Sequence, residues 1–226
     1  MLKNILMGLV LIVGGFVMFA ATRPDTYHVE RSTRIDAPAR VVFGQLEDLK
    51  AWATWSPWDK RDPQMQKTFE GPATGVGART AWRGNKQVGT GRMEITEVQP
   101  PTLIKVRLTF IEPFAAVANS AFNLAPDGDK AVTVTWSMDG TNNLVGKVFG
   151  LFMDMDDSVG GDFAKGLAGL KTIAEEEGKR QSEVAAAAKA QADAAALAKA
   201  QAEAAAVQAA ADTAAAATKG RRPSKR

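Results

Sequence analysis

The sequence predicts an α+β fold in which a curved antiparallel sheet of seven strands wraps around one long helix. The first observation is a series of segments that alternate apolar and polar residues, such as 104–110 and 132–138. Gly-, Pro-, Asn- and Asp-rich turns separate these segments, so consecutive strands are expected to be neighbours. The second observation is an apolar stripe at helical spacing from Leu144 to Ile173. A sheet that exposes one face to solvent must bury its other face against another element, and this helix is long enough to cover it.

One strand and two short helical segments come first. Residues 26–37 alternate apolar and charged side chains and end at Pro38, which predicts the first strand. Helical spacing follows over residues 39–50. Three tryptophans divided by a Ser-Pro pair come next: Trp52, Trp55 and Trp58. We expect them to form a short second helix or turn whose rings pack on an apolar surface.

Six further strands are predicted in close succession. Their connections are short, which is typical of an antiparallel meander. The strands are expected over residues 65–70, 77–83, 88–98, 102–111, 114–124 and 130–138.

The helix from Leu144 to Ile173 is predicted to cover the sheet as a lid and to form one wall of the space between them. Asn142 or Asn143 can cap its start. Six glycines lie inside it, and each costs about 1 kcal/mol against alanine in a helix interior. A purely structural helix would avoid that cost, so we expect a bend or hinge at the Gly160-Gly161 pair.

The most apolar segment is a run of seventeen uncharged residues from Ile5 to Ala21. At about 1.5 Å per residue, such a helix reaches the short end of a bilayer core. A cleaved signal peptide is the alternative, but a small-x-small cleavage site is poorly formed here. We expect residues 1–23 to be a retained single-pass membrane anchor, with the following domain on the outer (periplasmic) face.

Alanine dominates the other end of the chain, residues 179–226, beyond the expected helix end at Gly178. Its residue types favour helix, but near repeats ten residues apart keep no continuous apolar seam, which argues against a coiled coil. The tail holds nine basic and four acidic residues of a chain with net charge +3, which leaves −2 on residues 1–178. The folded part therefore shows no sign of nucleic-acid binding. The basic end is expected to be disordered. The sequence does not decide whether the tail binds a partner.

Few side chains could carry catalysis or hold a metal. Cysteine is absent and His28 is the only histidine, so thiolate, zinc and Ser-His chemistry have no support. A calcium loop starting at Asp154 fails, because Val159 takes the position of its glycine and Lys165 that of its glutamate. We predict no metal, no cofactor and no catalytic residue. In an enzyme, acid–base work would fall on one of Tyr27, Glu70, Arg83, Glu94 or Glu112.

Three segments resemble a known family: VVFGQLEDLKAWATWSPW, GPATGVGARTAWRGNKQVGTGRMEITEVQPP and VTWSMDGTNNLVGKVFGLFMDMDDSVGGDFAKGLAGLK. They resemble the polyketide cyclase/dehydrase-like branch of the START-like superfamily, often called SRPBCC proteins, over about residues 26–174. The resemblance implies a helix-grip fold with a deep apolar cavity between sheet and carboxy-terminal helix. In relatives this cavity holds lipids, sterols, polyketides or other apolar ligands. The resemblance implies no reaction, because the superfamily includes carriers, sensors and enzymes.

The aromatic and methionine residues can fill a core or line such a cavity. In a helix-grip fold the helix stands off the sheet, so rings along the gap face the cavity. The expected lining residues are Trp82, Met93, Phe110, Phe122, Trp136, Phe149, Phe152 and Phe163. The predicted function is a membrane-tethered protein whose domain, residues 24–178, binds a lipid-like or polyketide-like molecule. The alternative is a polyketide cyclase/dehydratase-like enzyme that uses the same cavity.

Overall fold

A computed structural model of the chain describes residues 2–151 and 154–219, with side chains at all of these positions except 2, 5, 149 and 217–219. The chain divides after Gly178 into two compact units. The helices are α1 (Leu2–Ala21), α2 (Ala39–Glu47), α3 (Trp52–Trp55), α4 (Pro57–Arg61), α5 (Leu144–Phe149) and α6 (Met155–Lys219). The strands are β1 (Thr26–Ile35), β2 (Gln66–Glu70), β3 (Arg79–Arg83), β4 (Thr90–Gln99), β5 (Leu103–Glu112), β6 (Ala116–Asp127) and β7 (Ala131–Thr141).

The seven strands form one antiparallel sheet in the order β1-β7-β6-β5-β4-β3-β2. The predicted meander of six strands is confirmed, and β1 pairs with β7 at one edge of this meander. Residues that face each other across neighbouring strands place their side chains on the same side of the sheet. Thr80 faces Met93, and Met93 faces Leu108, so these three side chains form a row on one side. The register shift in β4 between Ile95 and Glu97 is a bulge, which bends a strand.

The core lies between this side of the sheet and the helices. Trp52 and Trp55 pack edge-on against Phe122 of β6, with ring centroids 5.5 and 6.2 Å away. Trp52 Nε1 donates a hydrogen bond to the carbonyl of Leu46, at 3.0 Å. The prediction that the Trp-rich segment packs its rings on an apolar surface is confirmed, and Ser56-Pro57 divides it into α3 and α4.

The prediction of one helix over residues 144–173 is wrong. Asn143 caps α5 by accepting a hydrogen bond from the Gly146 amide at 2.8 Å, but α5 ends at Phe149 and a new helix begins at Met155. The expected end at Gly178 is also wrong, because α6 continues to Lys219. The residues that follow Gly178 are strong helix formers, so no stop signal acts there.

The predicted hinge at Gly160-Gly161 is wrong as well, because both residues lie within the uninterrupted helix α6. The glycines have another use, which is close packing. A Cβ at Gly166 would lie 2.7 Å from the Trp136 ring, and one at Gly169 would lie 2.8 Å from the Trp55 carbonyl oxygen. A Cβ at Gly160 would overlap the Arg31 guanidinium. These glycines allow α6 to approach the sheet and α3.

Helix α1 contains the predicted apolar run, and large apolar side chains between Leu6 and Phe19 are exposed. Its end is tied to α5 by Lys147, whose ammonium bonds the Ala21 carbonyl at 3.0 Å and pairs with Asp25 at 2.6 Å. Within the described residues, no helix combines the length and the apolar character needed to cross a membrane. The predicted membrane-spanning anchor is therefore not supported.

In the second unit, the described part of α6 exposes every side chain from residue 179 to 216. Pairs four residues apart join Lys189 to Asp193 at 2.5 Å and Lys199 to Glu203 at 4.0 Å. The sequence predicts that the alanine-rich segment is helical or disordered, and the structure describes it as helix over this range. Helix propensity and such pairs are the stabilising terms that the sequence supplies here.

Candidate functional site: an apolar cavity beneath α6

A cavity of about 260 Å³ lies between the sheet, the α3–α4 segment and the first turns of α6. Pockets for small molecules usually measure about 300–1,000 Å³, so this cavity is close to the smallest of them. Strands β2 to β7 all contribute to its wall, which is why no single sequence segment reveals it. Most of the contributing side chains are aromatic or aliphatic, among them Trp58, Trp82, Met93, Leu108, Phe110 and Trp136.

The structure brings together five of the eight predicted lining residues: Trp82, Met93, Phe110, Trp136 and Phe163. Phe122 is elsewhere, since it is 0% exposed and packs in the core between Trp136 and the α3 tryptophans. The side chain of Phe149 and the whole of Phe152 lie outside the described residues. Contact of the five residues with a ligand stays a prediction.

Trp136 and Phe163 form the rigid part of the wall. Their rings stack with centroids 4.1 Å apart and planes 6° from parallel. Trp136 Nε1 donates to Ser120 Oγ at 2.8 Å, and Ser120 Oγ donates in turn to the Ser137 carbonyl at 2.8 Å. The buried polar atoms behind the ring are thereby satisfied, so the position of the Trp136 ring is fixed from behind.

Trp82 and Phe110 form a second aromatic pair, edge to face with centroids 6.0 Å apart. Gly91 of β4 lies between them in the register. A Cβ there would overlap the Trp82 ring and lie 2.8 Å from the Thr109 carbonyl oxygen. Gly91 is therefore required for the Trp82 ring to lie across β4.

Two ion pairs that the sequence did not reveal border the cavity. Asp59 and Lys67 are wall residues that bond each other, with side chains 18% and 15% exposed. Asp162, whose side chain is 12% exposed, is a wall residue that bonds Arg61. In the sequence Asp162 resembles its solvated acidic neighbours. Its position three residues after the apolar stripe residue Val159 is the signal that could have indicated an inward direction.

Two hydroxyl groups in the wall have few or no partners. Thr80 is 2% exposed, and its Oγ1 has no hydrogen-bond partner among the residues that the structure describes. Ser56 is 4% exposed and stands at the N-cap of α4, but its side chain makes no capping bond. An unpaired buried hydroxyl destabilises a fold, so Thr80 is a candidate for a polar contact with a ligand. Ser56, which makes no capping bond, is a second candidate.

None of the five candidate acid–base residues lies in the wall of this cavity. Tyr27 is beside a groove of about 480 Å³ at the Thr26 end of β1, and Glu70 borders a small pocket of about 60 Å³. Burial, and then the charge of Asp139, raise the pKa of Tyr27. The exposed ring of His28 accompanies it there and bonds Asp139 at 2.7 Å. Arg83, Glu94 and Glu112 border none of these three cavities.

A sequence profile of the family described as "Polyketide cyclase / dehydrase and lipid transport" matches residues 26–175. The chain belongs to this family. The match covers the whole sheet and the part of α6 that borders the cavity, and it excludes α1 and the alanine-rich end. The family resemblance seen in the sequence is confirmed. A search of curated proteins finds no match to this chain.

Three solved structures from different organisms are among those similar to this chain. A Chromobacterium violaceum protein is 16% identical, with 68% of this chain and 99% of that chain covered and a TM-score of 0.48. The Zhui aromatase/cyclase of Streptomyces sp. R1128 is 16% identical, with 66% and 94% covered and a TM-score of 0.49. Major latex-like protein 151 of Panax ginseng is 14% identical, with 66% and 97% covered and a TM-score of 0.46. The element order and the sheet topology of this polyketide cyclase/dehydrase family member are those of the predicted helix-grip fold.

Proposed function

We propose that this protein binds an apolar small molecule in the cavity beneath α6. The observation that carries the proposal is the cavity itself, about 260 Å³ in volume and walled by aromatic and aliphatic side chains. Protein interiors leave few voids larger than a water molecule, whose share of liquid volume is about 30 Å³. This cavity is several times larger than the volume of one water molecule and is formed by side chains with fixed positions, so it is suited to a small-molecule ligand. Burial of apolar surface at about 25 cal/mol per Å² would drive the binding.

Native mass spectrometry of the gently extracted full-length chain tests this proposal. We expect a small apolar molecule to copurify and to raise the thermal midpoint of the protein. The variant Leu108→Trp places a ring in the cavity and should lose the bound mass. Ile111→Trp adds the same ring at an exposed position of the same strand and should retain it. A wild-type protein that is reproducibly empty, and that no lipid stabilises, would contradict the proposal.

We further propose that α1 attaches the protein to lipid. Eleven large apolar side chains are exposed on the described part of this helix: Leu6, Met7, Leu9, Val10, Leu11, Ile12, Val13, Phe16, Val17, Met18 and Phe19. Monomeric soluble proteins rarely expose so continuous an apolar surface. Lipid is a suitable cover because it demands no complementary shape. Placement of the folded unit on the outer face of the membrane is part of this proposal.

Cell fractionation tests the attachment. We expect the full-length chain in the membrane fraction, and the triple variant Leu9→Lys, Ile12→Lys and Met18→Lys in the supernatant. Val184→Lys with Val207→Lys changes exposed apolar residues of the second unit and should leave the distribution unchanged. The intact mass of the purified chain distinguishes a retained helix from a cleaved one. Protease added to intact spheroplasts should degrade the protein if the domain is outside.

The alternative function is an enzyme of the cyclase or dehydratase type. It is favoured by Asp59, Lys67 and Asp162, which supply proton-transfer groups to a wall that is mostly aromatic and aliphatic. Incubation with poly-β-keto or hydroxyacyl thioesters tests it. An enzyme would form product, and Asp162→Asn would reduce the rate about 100-fold or more if Asp162 is a general acid or base. Equal product levels with and without protein would eliminate this alternative.

A further inference from the structure

We propose that the ligand is an uncharged molecule with a hydroxyl or carbonyl oxygen, and that this oxygen hydrogen-bonds the hydroxyl of Thr80. The inference rests on the proposed function, because it names the chemical class of the molecule in the same cavity. Its basis is a difference among the polar groups of the wall. The charged groups have partners, whereas the hydroxyl of Thr80 has none among the described residues.

Thr80 is the second residue of β3, on the side of the sheet that faces the cavity. Its register partners are Phe69 on β2 and Met93 on β4, and Leu108 continues the same row on β5. Both cross-strand neighbours of Thr80 are therefore apolar side chains that offer its hydroxyl no hydrogen bond. A hydroxyl in such a place destabilises the empty protein unless something else bonds to it. A ligand oxygen is a partner that the cavity can admit.

Ser120, in the same wall, has a hydroxyl whose hydrogen-bond partners are present in the protein. Its Oγ accepts from Trp136 Nε1 and donates to the Ser137 carbonyl, both at 2.8 Å. Its donor and one of its two acceptor sites are used, so Ser120 has less to offer a ligand than Thr80 has. Ser56 resembles Thr80 more closely, because it lines the cavity and makes no capping bond to α4. A ligand with a second oxygen could use it.

The charges of the wall argue against an ionised ligand. Lys67 is bonded to Asp59, and Asp162 is bonded to Arg61, so each wall charge is already compensated. A carboxylate that entered the cavity would meet two protein carboxylates and would have to displace one of them from its cation. Burying an unpaired charge is far more costly than burying a hydroxyl that forms a hydrogen bond. The cavity therefore selects for a neutral oxygen.

Titration of the full-length protein with three ten- or eleven-carbon probes tests the inference: 1-decanol, 2-undecanone and decanoate at pH 8. Trp58, Trp82 and Trp136 line the cavity, so intrinsic tryptophan fluorescence reports binding. We expect the alcohol and the ketone to bind at least tenfold more tightly than decanoate. Thr80→Val should weaken both neutral probes about three- to tenfold and leave decanoate unchanged, because one neutral hydrogen bond is lost. Thr80→Ser, which keeps the hydroxyl, should retain the preference.

The matched control is Thr68→Val, the same substitution at an exposed position of the neighbouring strand β2, which should leave all three affinities unchanged. A second readout needs no ligand: Thr80→Val should raise the thermal midpoint of the empty protein, since an unpaired hydroxyl is removed. A lower midpoint would show that the hydroxyl already has a partner and would overturn the inference.

Other outcomes separate the inference from the proposed function. Wild-type and Thr80→Val proteins that bind the alcohol and the ketone equally would overturn the inference and leave the binding function intact. Decanoate that binds as tightly as decanol would do the same. A wild-type protein that binds none of the three probes and also purifies empty would overturn both.

Discussion

Trp136 belongs to two environments at once. One side of its ring stacks on Phe163 in the cavity wall, at 4.1 Å, and its other contacts include Phe122 in the core, at 4.7 Å. Its N–H is held by Ser120. The side chain that shapes the cavity is therefore positioned by a buried hydrogen bond and by core packing, which act before any ligand arrives.

Ser120→Ala should lower the free energy of unfolding by about 1–3 kcal/mol, because it leaves the buried Trp136 N–H without an acceptor. Urea denaturation measures the change. The control is Ser32→Ala, which removes an exposed hydroxyl that bonds Thr135 at 2.7 Å and should change the free energy by less than about 0.5 kcal/mol. Equal losses in the two variants would contradict the role given to Ser120.

His28 should make the stability of the protein depend on pH near neutrality. Its hydrogen bond to Asp139 is the main cause that raises the pKa of His28 above its ordinary value. A raised pKa means that the folded state binds the proton more tightly, so the contribution is complete below about pH 6.5 and is lost as pH rises through the folded-state pKa.

We expect the thermal midpoint of the wild type to fall between pH 6 and pH 8 by more than that of His28→Gln. No other histidine and no cysteine is present to titrate in this window. The exposure of the ring keeps the effect small. Parallel midpoint curves for the two proteins would exclude a stabilising His28–Asp139 pair.

At the scale of elements, α6 is held against the sheet by close contacts of its backbone and by polar contacts, among them a clamp from β1. Arg31 of β1 bonds both carboxylate oxygens of Asp156, at 2.8 and 2.9 Å, and also the Asp156 carbonyl. The hydrogen bond from Arg31 is the main cause that lowers the pKa of Asp156. The guanidinium occupies the space that a side chain at Gly160 would need. The clamp and the glycine therefore depend on each other.

Two glycines of α6 should respond to alanine with opposite signs. Gly166→Ala places a Cβ 2.7 Å from the Trp136 ring and 3.3 Å from Pro57, and overpacking of this kind costs about 1–3 kcal/mol. A Cβ at Gly161 would meet no neighbouring atom within 4 Å, so Gly161→Ala should stabilise the helix by about 0.5–1 kcal/mol. Chemical denaturation of both variants measures the difference. Stabilisation by both substitutions would mean that α6 does not approach Trp136 closely.

At the scale of the whole molecule, the two units differ in what stabilises them. Unit 1 has a buried core, whereas the described side chains of residues 179–216 are all exposed. We expect removal of residues 179–226 to shift the thermal midpoint of unit 1 by no more than about 2 °C. Circular dichroism should show the loss of a helical component that melts without a cooperative transition. A large drop in the midpoint would show that the tail contributes to the core.

The sequence predicts the sheet well, because alternation and turn residues are local signals. It predicts less of the site, because the site depends on contacts between distant segments. Phe122 and Trp136 have the same alternating pattern, yet one lies in the core and the other in the cavity wall. The ion pair of Asp162 becomes clear only when Arg61 of α4 is beside it. Likewise, glycines that suggest a flexible helix prove to be contact points once Trp55 and Trp136 are in place.

The glycines of α6 have a consequence for how ligand preference can change. Gly166 and Gly169 lie against Trp136 and Trp55, so the distances from α6 to the sheet and to α3 are set where side chains are missing. A methyl group added at either glycine would displace α6 as one wall of the cavity, and no residue in contact with the ligand would have to change. The volume of the cavity can therefore be adjusted by a substitution at a glycine of the helix, independently of the chemistry of the cavity lining.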